Sequence, residues 1–471
     1  MSTGYVGPGG QWVEKPDTPN QGGVSGAGKW LGSAAPAAWL TTPPLLPAPA
    51  YPGNSVAVGA WQCYTANGNT YICCTSGTTA ASGSGPTGTG SLPIADGTAA
   101  WLYEGPAPVA GSNPPTVTIN TTNPAVGGTL PRYYRPAGTS YNVGQASTVT
   151  SDDWFVQSGG VMLRQTIGIS WDTANSSVGP YEISFMLDDD RFCVVIPQTS
   201  FAGCMILVDG VLIGPGRYSN GNSGGYTFIT VQLPDARDRK ITLLGSFTTP
   251  LGGVLVRQSA SLWAPPITLT NSMALEGDSY SAGSNYGWFR DIDVPHYRMA
   301  RALGFEQWWI NAKGGTGYLT AGSDTTFINR ISRIPAGQKM IAVMGGINDP
   351  LTGLQAAVTA YLVALRAAQP AAYIAVGGVF CATSGPDATS LSKEAAVQAA
   401  VAAVNDPKIK FFPISSALVP WFFGTGTATS PASNGNTDRF IGGIASDTTH
   451  PIPPGTRHMA YRAAQSIAAL A

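Results

Sequence analysis

At 471 residues the chain is too long for a single core, and about three domains fit its length. Only 11% of its residues are charged, against roughly 25% in ordinary soluble domains, and its 59 Gly and 37 Pro argue for a folded, turn-rich chain with much β structure. The formal net charge is −1 and no block of Lys and Arg occurs, which excludes a basic nucleic-acid-binding surface.

The N-terminal residues, MSTGYVGPGGQWVEKPD, contain no apolar run, so no secretory signal peptide is expected. Residues 1–50 are rich in Pro, Gly and Ala and read as an extended attachment arm. Residues 51–106 read as a small β module. WQCYTANGNTYICCT sets two strand-like runs around an Asn-Gly turn, and IADGTAAWLYEG adds another strand. The six cysteines form no disulfide framework. Cys63 with Cys73 or Cys74 across the hairpin is one reading; reduced, buried thiols are the plainer one.

Three stretches of this unit, YICCT at 71–75, SGPTG at 84–88 and DGTAAW at 96–101, resemble a β module of tail-fibre and tailspike proteins of bacterial viruses. The resemblance implies a virion (phage tail) protein made in the host cytoplasm and acting at the bacterial surface. It also implies a homotrimer, and an arm that meets other tail or baseplate proteins. Glycan contact through Trp61, Tyr71 or Trp101 would follow, although three aromatics in so small a unit also serve as its core.

Residues 107–130 read as a linker. From 131 to 268 short strands alternate with turns, including YEISFML, RFCVVIP, CMILVDGVLIG, YTFITVQLP and RKITLLGSF, and the spacing predicts a β-sandwich. The acidic run Asp188, Asp189 and Asp190 reads as a solvated turn, with a cation site as the alternative.

From 269 to 471 strand and helix alternate, which predicts parallel strands with helices on both faces of the sheet. The apolar runs are SMALEG, QWWINA, KMIAVMGG, AYIAVGGVF and IKFFPIS. The long apolar stretch at 356–380 is interrupted by Arg366, Gln369 and Pro370, so it reads as helix, turn and strand and not as a membrane span. Ligands of such sheets bind at the carboxyl ends of the strands, so the residues after each strand carry the functional question.

After the first strand comes Gly277-Asp278-Ser279, with the Ser where a helix begins and its N-terminus favours negative charge. After the second comes Gly314-Gly315-Thr316-Gly317, where glycines let backbone N–H groups approach a ligand. After the third comes Gly345-Gly346-Ile347-Asn348-Asp349, whose Asn side chain can donate to an oxyanion. Near the C-terminus, Asp447 lies three residues before His450, spaced to orient the ring so that Nε2 acts as a base. His296 and His458, the other two histidines, lie in predicted helices and read as structural.

In this order the four blocks resemble the SGNH hydrolase superfamily, also called GDSL esterases and lipases, over residues 271–471. The resemblance implies a flavodoxin-like three-layer α/β fold. It implies a triad of Ser279, Asp447 and His450, an oxyanion hole of Ser279, Gly315 and Asn348, and no metal or cofactor. Gly317 also fits the glycine position, and Glu276 stands where an apolar residue is commoner. The implied activity is ester hydrolysis. The arrangement of arm, β module, sandwich and hydrolase favours an O-deacetylase acting on acetylated surface polysaccharide of a bacterial host. A lipase or thioesterase with an acyl groove lined by 308–310 and 421–423, or a non-catalytic receptor-binding protein, are the alternatives.

Overall fold

The structure is a computed structural model that describes residues 4–6, 12–14 and, from 44 on, all but short segments; of these, 59–61, 283–290 and 443–447 bear on the site. The expected attachment arm therefore lies largely outside the described residues. Its last part is fixed: the N–H groups of Leu45 and Leu46 donate to Leu212 O and Ile213 O of the sandwich.

The small module is a four-stranded antiparallel sheet in the spatial order Cys63–Ala66, Asn69–Thr75, Ala99–Pro106, Ile94–Asp96. Asn67 and Gly68 both take positive φ, 50° and 75°, as the expected hairpin turn requires. The five cysteines whose side chains are described, Cys63, Cys73, Cys193, Cys204 and Cys381, are buried. Burial pushes the Cys193 thiol up to about 12.

The second unit is a two-sheet β-sandwich. Its central strands Tyr181–Leu187 and Arg191–Pro197 lie in opposite sheets and are buried along nearly their whole length. The expected linker contains one of its strands. Thr116–Asn120 pairs antiparallel with Tyr226–Gln232 at a sheet edge, and the surrounding Pro and Asn residues hide it in the sequence. The acidic run is not simply solvated: Arg257 pairs with Asp189 and Asp190, and Asp188 accepts the Ser261 N–H at 2.8 Å.

The third unit is built on five parallel strands: β1 (Ser272–Gly277), β2 (Gln307–Ala312), β3 (Met340–Met344), β4 (Tyr373–Gly377) and β5 (Ile409–Phe412). Their spatial order is β2-β1-β3-β4-β5, the flavodoxin-like arrangement. Successive side chains of a strand point to opposite faces, and both faces are covered. Ala274, Ile341, Val343, Ile374 and Val376 pack with the helices Leu354–Ala368 and Ala388–Val404. Met273, Leu275, Ala342, Met344 and Ala375 face the other way, toward Pro295–Ala302 and Pro453–Ala469. With the short helices Ser279–Ala282, Phe327–Arg330 and Thr437–Phe440, these are numbered α1 (279–282), α2 (295–302), α3 (327–330), α4 (354–368), α5 (388–404), α6 (437–440) and α7 (453–469). Among the described residues no helix is long and apolar enough to cross a membrane.

The three units do not hang as beads. One apolar cluster runs from Ile72 and Leu102 of the module, through Phe185 and Val194 of the sandwich, to Leu275 and Ala463 of the α/β unit. Two buried charge clusters cross the same boundaries. Glu182 of the sandwich pairs with Arg301 of α2 and accepts the Trp308 Nε1–H at 2.9 Å. Burial works against the Glu182 charge, but Arg301 and Lys240 outweigh it and hold the carboxyl below its usual range. Glu104 of the module accepts from Arg457 of α7 at 3.0 and 3.1 Å, and Arg457 also reaches Asp293 at 3.4 Å.

Removing Glu104 leaves the buried Arg457 with Asp293, its more distant partner at 3.4 Å. Glu104→Ala is expected to lower unfolding free energy by about 3–5 kcal/mol, read by urea denaturation; an unchanged midpoint would show that the Arg457 contact carries no stability.

Candidate active site

The register of the sheet aligns the strand ends: Gly277 stands beside Ala312 of β2 and Met344 of β3. Ser279, Gly315 and Asn348 follow these aligned ends by two, three and four residues. Three of the expected site residues thus meet at the carboxyl edge of three adjacent strands.

Ser279 opens α1. Asp278 before it turns its Oδ1 onto the Tyr280 N–H at 3.0 Å, so the turn after β1 is closed by its own side chain. A Cβ at Gly277 would overlap Ser281, which requires glycine where strand passes into helix. Asp278 Oδ2 is buried without a hydrogen-bond partner. Burial pushes this carboxyl up to about 7, against the Tyr280 N–H, and the nearby Asp349 charge adds to the rise.

The glycine loop and the Asn loop are locked together. Asp349 accepts the N–H groups of Tyr318, Leu319 and Thr320 at 2.9, 2.8 and 2.9 Å. The Thr320 hydroxyl donates to Asn348 O at 2.9 Å, and Asn348 Nδ2 donates to Thr316 O at 2.9 Å. An amide nitrogen has two N–H groups; one fixes the side chain on Thr316 and the second is left for a ligand oxygen. Gly315 takes φ +74°, the left-handed region that glycine enters without cost. Gly317 has a different reason to be glycine: a Cβ there would overlap the Asp349 carboxylate. The two glycines are thus distinguished, one needed for backbone conformation and the other for space.

Glu276, out of place in the sequence pattern, has a partner. It pairs with Arg330 of α3 and accepts from Asn311 Nδ2 at 2.6 Å. Burial pushes Glu276 up to about 7 even against the guanidinium. Arg330 Nη1 donates to the Thr316 hydroxyl at 2.9 Å, so the cluster under β1 also holds the glycine loop. Lys393 of α5 braces the Asn loop from outside, donating to Ile347 O at 2.8 Å.

His450 sits just before α7, half-buried. Its backbone is pinned by Gly442 N donating to His450 O at 3.0 Å, and its ring centroid lies 5.5 Å from that of Tyr280, the residue after Ser279. Two segments far apart in the chain, the one that carries Ser279 and the one that carries His450, thereby meet at Tyr280. Asp447 and Trp61 lie outside the described residues. The other two histidines are core groups, as expected. His296 Nδ1 lies 3.2 Å from Ser281 O, and burial pushes it down to about 3, which keeps it neutral. His458 stacks on Phe440 and its Nε2 lies 2.9 Å from Trp421 O.

The glycan contacts expected at Tyr71 and Trp101 are corrected. Both rings are 0% exposed, and Trp101 Nε1 donates to Asp96 at 3.1 Å, so they form the core of the module and present no face to a sugar. Among the described residues no group of three or more His, Cys, Asp or Glu side chains is placed to hold a metal ion.

No protein-family model and no curated protein matches the chain. Among solved structures it is similar to a salicylyl-acyltransferase from a tetracycline biosynthetic pathway, with TM-score 0.52 and 14% identity, over 68% of this chain and 95% of that one. It also matches a family two carbohydrate esterase from Cellvibrio japonicus, with TM-score 0.48 and 11% identity, over 76% and 98% of the two chains. An acetyl xylan esterase from the rumen bacterium Butyrivibrio proteoclasticus matches with TM-score 0.44 and 13% identity, over 67% and 94%. The first of these establishes a shared fold.

Two outcomes follow from the site. Asp349→Ala releases three backbone donors, and kcat on an activated ester is expected to fall about 100-fold with the fold retained by circular dichroism; an unaffected kcat would mean the loop holds its shape without the carboxylate. Asp278 has a folded value of about 7 against 3.8 when exposed. Its contribution to stability is full below the lower value and is lost as pH rises through the higher one. Urea melts from pH 4 to 8 are therefore expected to show Asp278→Asn gaining on the wild type as pH rises; parallel curves would refute the burial effect.

Proposed function

We propose that this chain is an SGNH-type serine ester hydrolase. The observation that carries this reading is the convergence of Ser279, Gly315 and Asn348 on aligned strand ends, with His450 held against the residue next to the serine. Ser279 Oγ attacks the acyl carbonyl while His450 accepts its proton, and the same imidazole then protonates the leaving alkoxide. The backbone N–H groups of Ser279 and Gly315 and the Asn348 amide take up the charge of the tetrahedral oxyanion. Water attacks the acyl-enzyme with His450 again as base. Asp447 is the proposed orienting carboxylate for His450.

We further propose a carbohydrate O-deacetylase, borne on a phage tail and acting on host surface polysaccharide. The sequence resemblance of residues 51–106 supports the setting. A short acyl group is favoured because four of the six side chains that would line a long apolar groove, Trp308, Ile310, Trp421 and Phe422, are buried, and Trp308 is hydrogen-bonded to Glu182.

Hydrolysis of p-nitrophenyl acetate, butyrate and octanoate by the full chain tests both levels. Acetate is expected to be preferred, with Ser279→Ala or His450→Ala losing on the order of 10⁴–10⁶ in kcat and Asn348→Ala about 10²–10³. A near-native rate in Ser279→Ala would overturn the esterase, and a preference for octanoate would overturn the deacetylase alone.

A further inference from the structure

The nucleophile and its base arrive from opposite ends of the α/β unit. Ser279 follows β1, while His450 precedes the last helix. A proton passes between them only if the separation holds to within a few tenths of an ångström, yet each sits on a loop.

Tyr280 spans that gap. It is buried, and its ring lies flat on Phe380, with centroids 4.6 Å apart and planes 5° from parallel. Its hydroxyl donates to Thr449 O at 2.6 Å, the carbonyl of the peptide that leads into His450. A second acceptor, Cys381 O, lies at 3.4 Å. On its far side the His450 segment is fixed by Gly442 N to His450 O and by the bridge between Ile441 and Pro451. The Tyr280 hydroxyl is the complementary hold on the near side, and it comes from the residue bonded directly to the nucleophile. Packing alone does not call for a tyrosine here. A phenylalanine ring would stack equally well on Phe380 and Phe422; what the hydroxyl adds is a fixed distance between two backbones.

We propose that Tyr280 is a positioning residue that sets the separation of Ser279 and His450 through its hydrogen bond to Thr449 O. The proposal rests on reading Ser279 and His450 as nucleophile and base. It is therefore tested with a fluorophosphonate probe on the full chain, which reads that pair without requiring the natural ester. Ser279 Oγ forms the bond to phosphorus, the P–F bond breaks, fluoride leaves, and His450 takes the serine proton.

Wild type, Ser279→Ala and Tyr280→Phe are compared for the maximal labelling rate, the probe concentration giving half that rate, and the thermal midpoint. Wild type is expected to label and Ser279→Ala not to. Tyr280→Phe is expected to label about tenfold more slowly at saturation, with the half-saturating concentration within about twofold of wild type and the thermal midpoint close to it. Labelling of Tyr280→Phe at the wild-type rate overturns the positioning role while leaving the nucleophile intact. A slowing that tracks loss of folded protein, or that falls wholly on the half-saturating concentration, also overturns it. A wild type that does not label, or a Ser279→Ala that labels equally, overturns the reading of the site itself and the proposal with it.

Discussion

One buried carboxylate organises the glycine and Asn loops of this site. Asp349 gathers three successive N–H groups, those of Tyr318, Leu319 and Thr320. Charge-assisted bonds to backbone are the strong kind, and three on one group leave the loop a single shape. Other choices follow from it. Gly317 is glycine because the carboxylate fills the place of a side chain. Asn348, the next residue back, is brought to the Thr316 carbonyl with its amide plane fixed. The Asn348 amide is thus held in place by the fold itself, and donors preorganised in this way act on developing charge without reorganisation.

The same device recurs at the other end of the sheet. Glu394 of α5 accepts from Val379 N at 2.9 Å and Ser415 N at 2.8 Å, joining the exits of β4 and β5. Its neighbour Lys393 reaches Ile347 O beside Asn348. A single helix turn therefore braces the exits of three strands. The carboxyl edge of the sheet is built from loops, and acidic side chains below it supply the rigidity that regular structure gives elsewhere.

Much of this was legible in the sequence where the signal is local. The five strands of the parallel sheet, the long helices and the blocks after β1, β2 and β3 announce themselves by period and by spacing. The Asn67-Gly68 hairpin follows from two residues. What stayed hidden depends on partners far along the chain. Glu276 looks misplaced until Arg330 is brought to it, and Tyr280 is one more apolar position until Thr449 arrives. Tyr71 and Trp101 suit either a sugar platform or a core, and only the packing of the module decides for the core. Thr116–Asn120 was lost among Pro and Asn because five residues of alternation are too few to stand out from a linker.

The buried pairs Glu104–Arg457 and Glu182–Arg301 bear on how such a chain can be rearranged. The chain reads as a row of exchangeable cassettes, but a cut at residue 269 would take Glu182 from Arg301 and Glu104 from Arg457, leaving Arg457 with Asp293. It would also open the apolar cluster that all three units share. The natural joint for recombination is upstream, before Leu45 and Leu46 dock onto the sandwich. A block that begins there keeps both charge pairs and the shared apolar cluster in one piece.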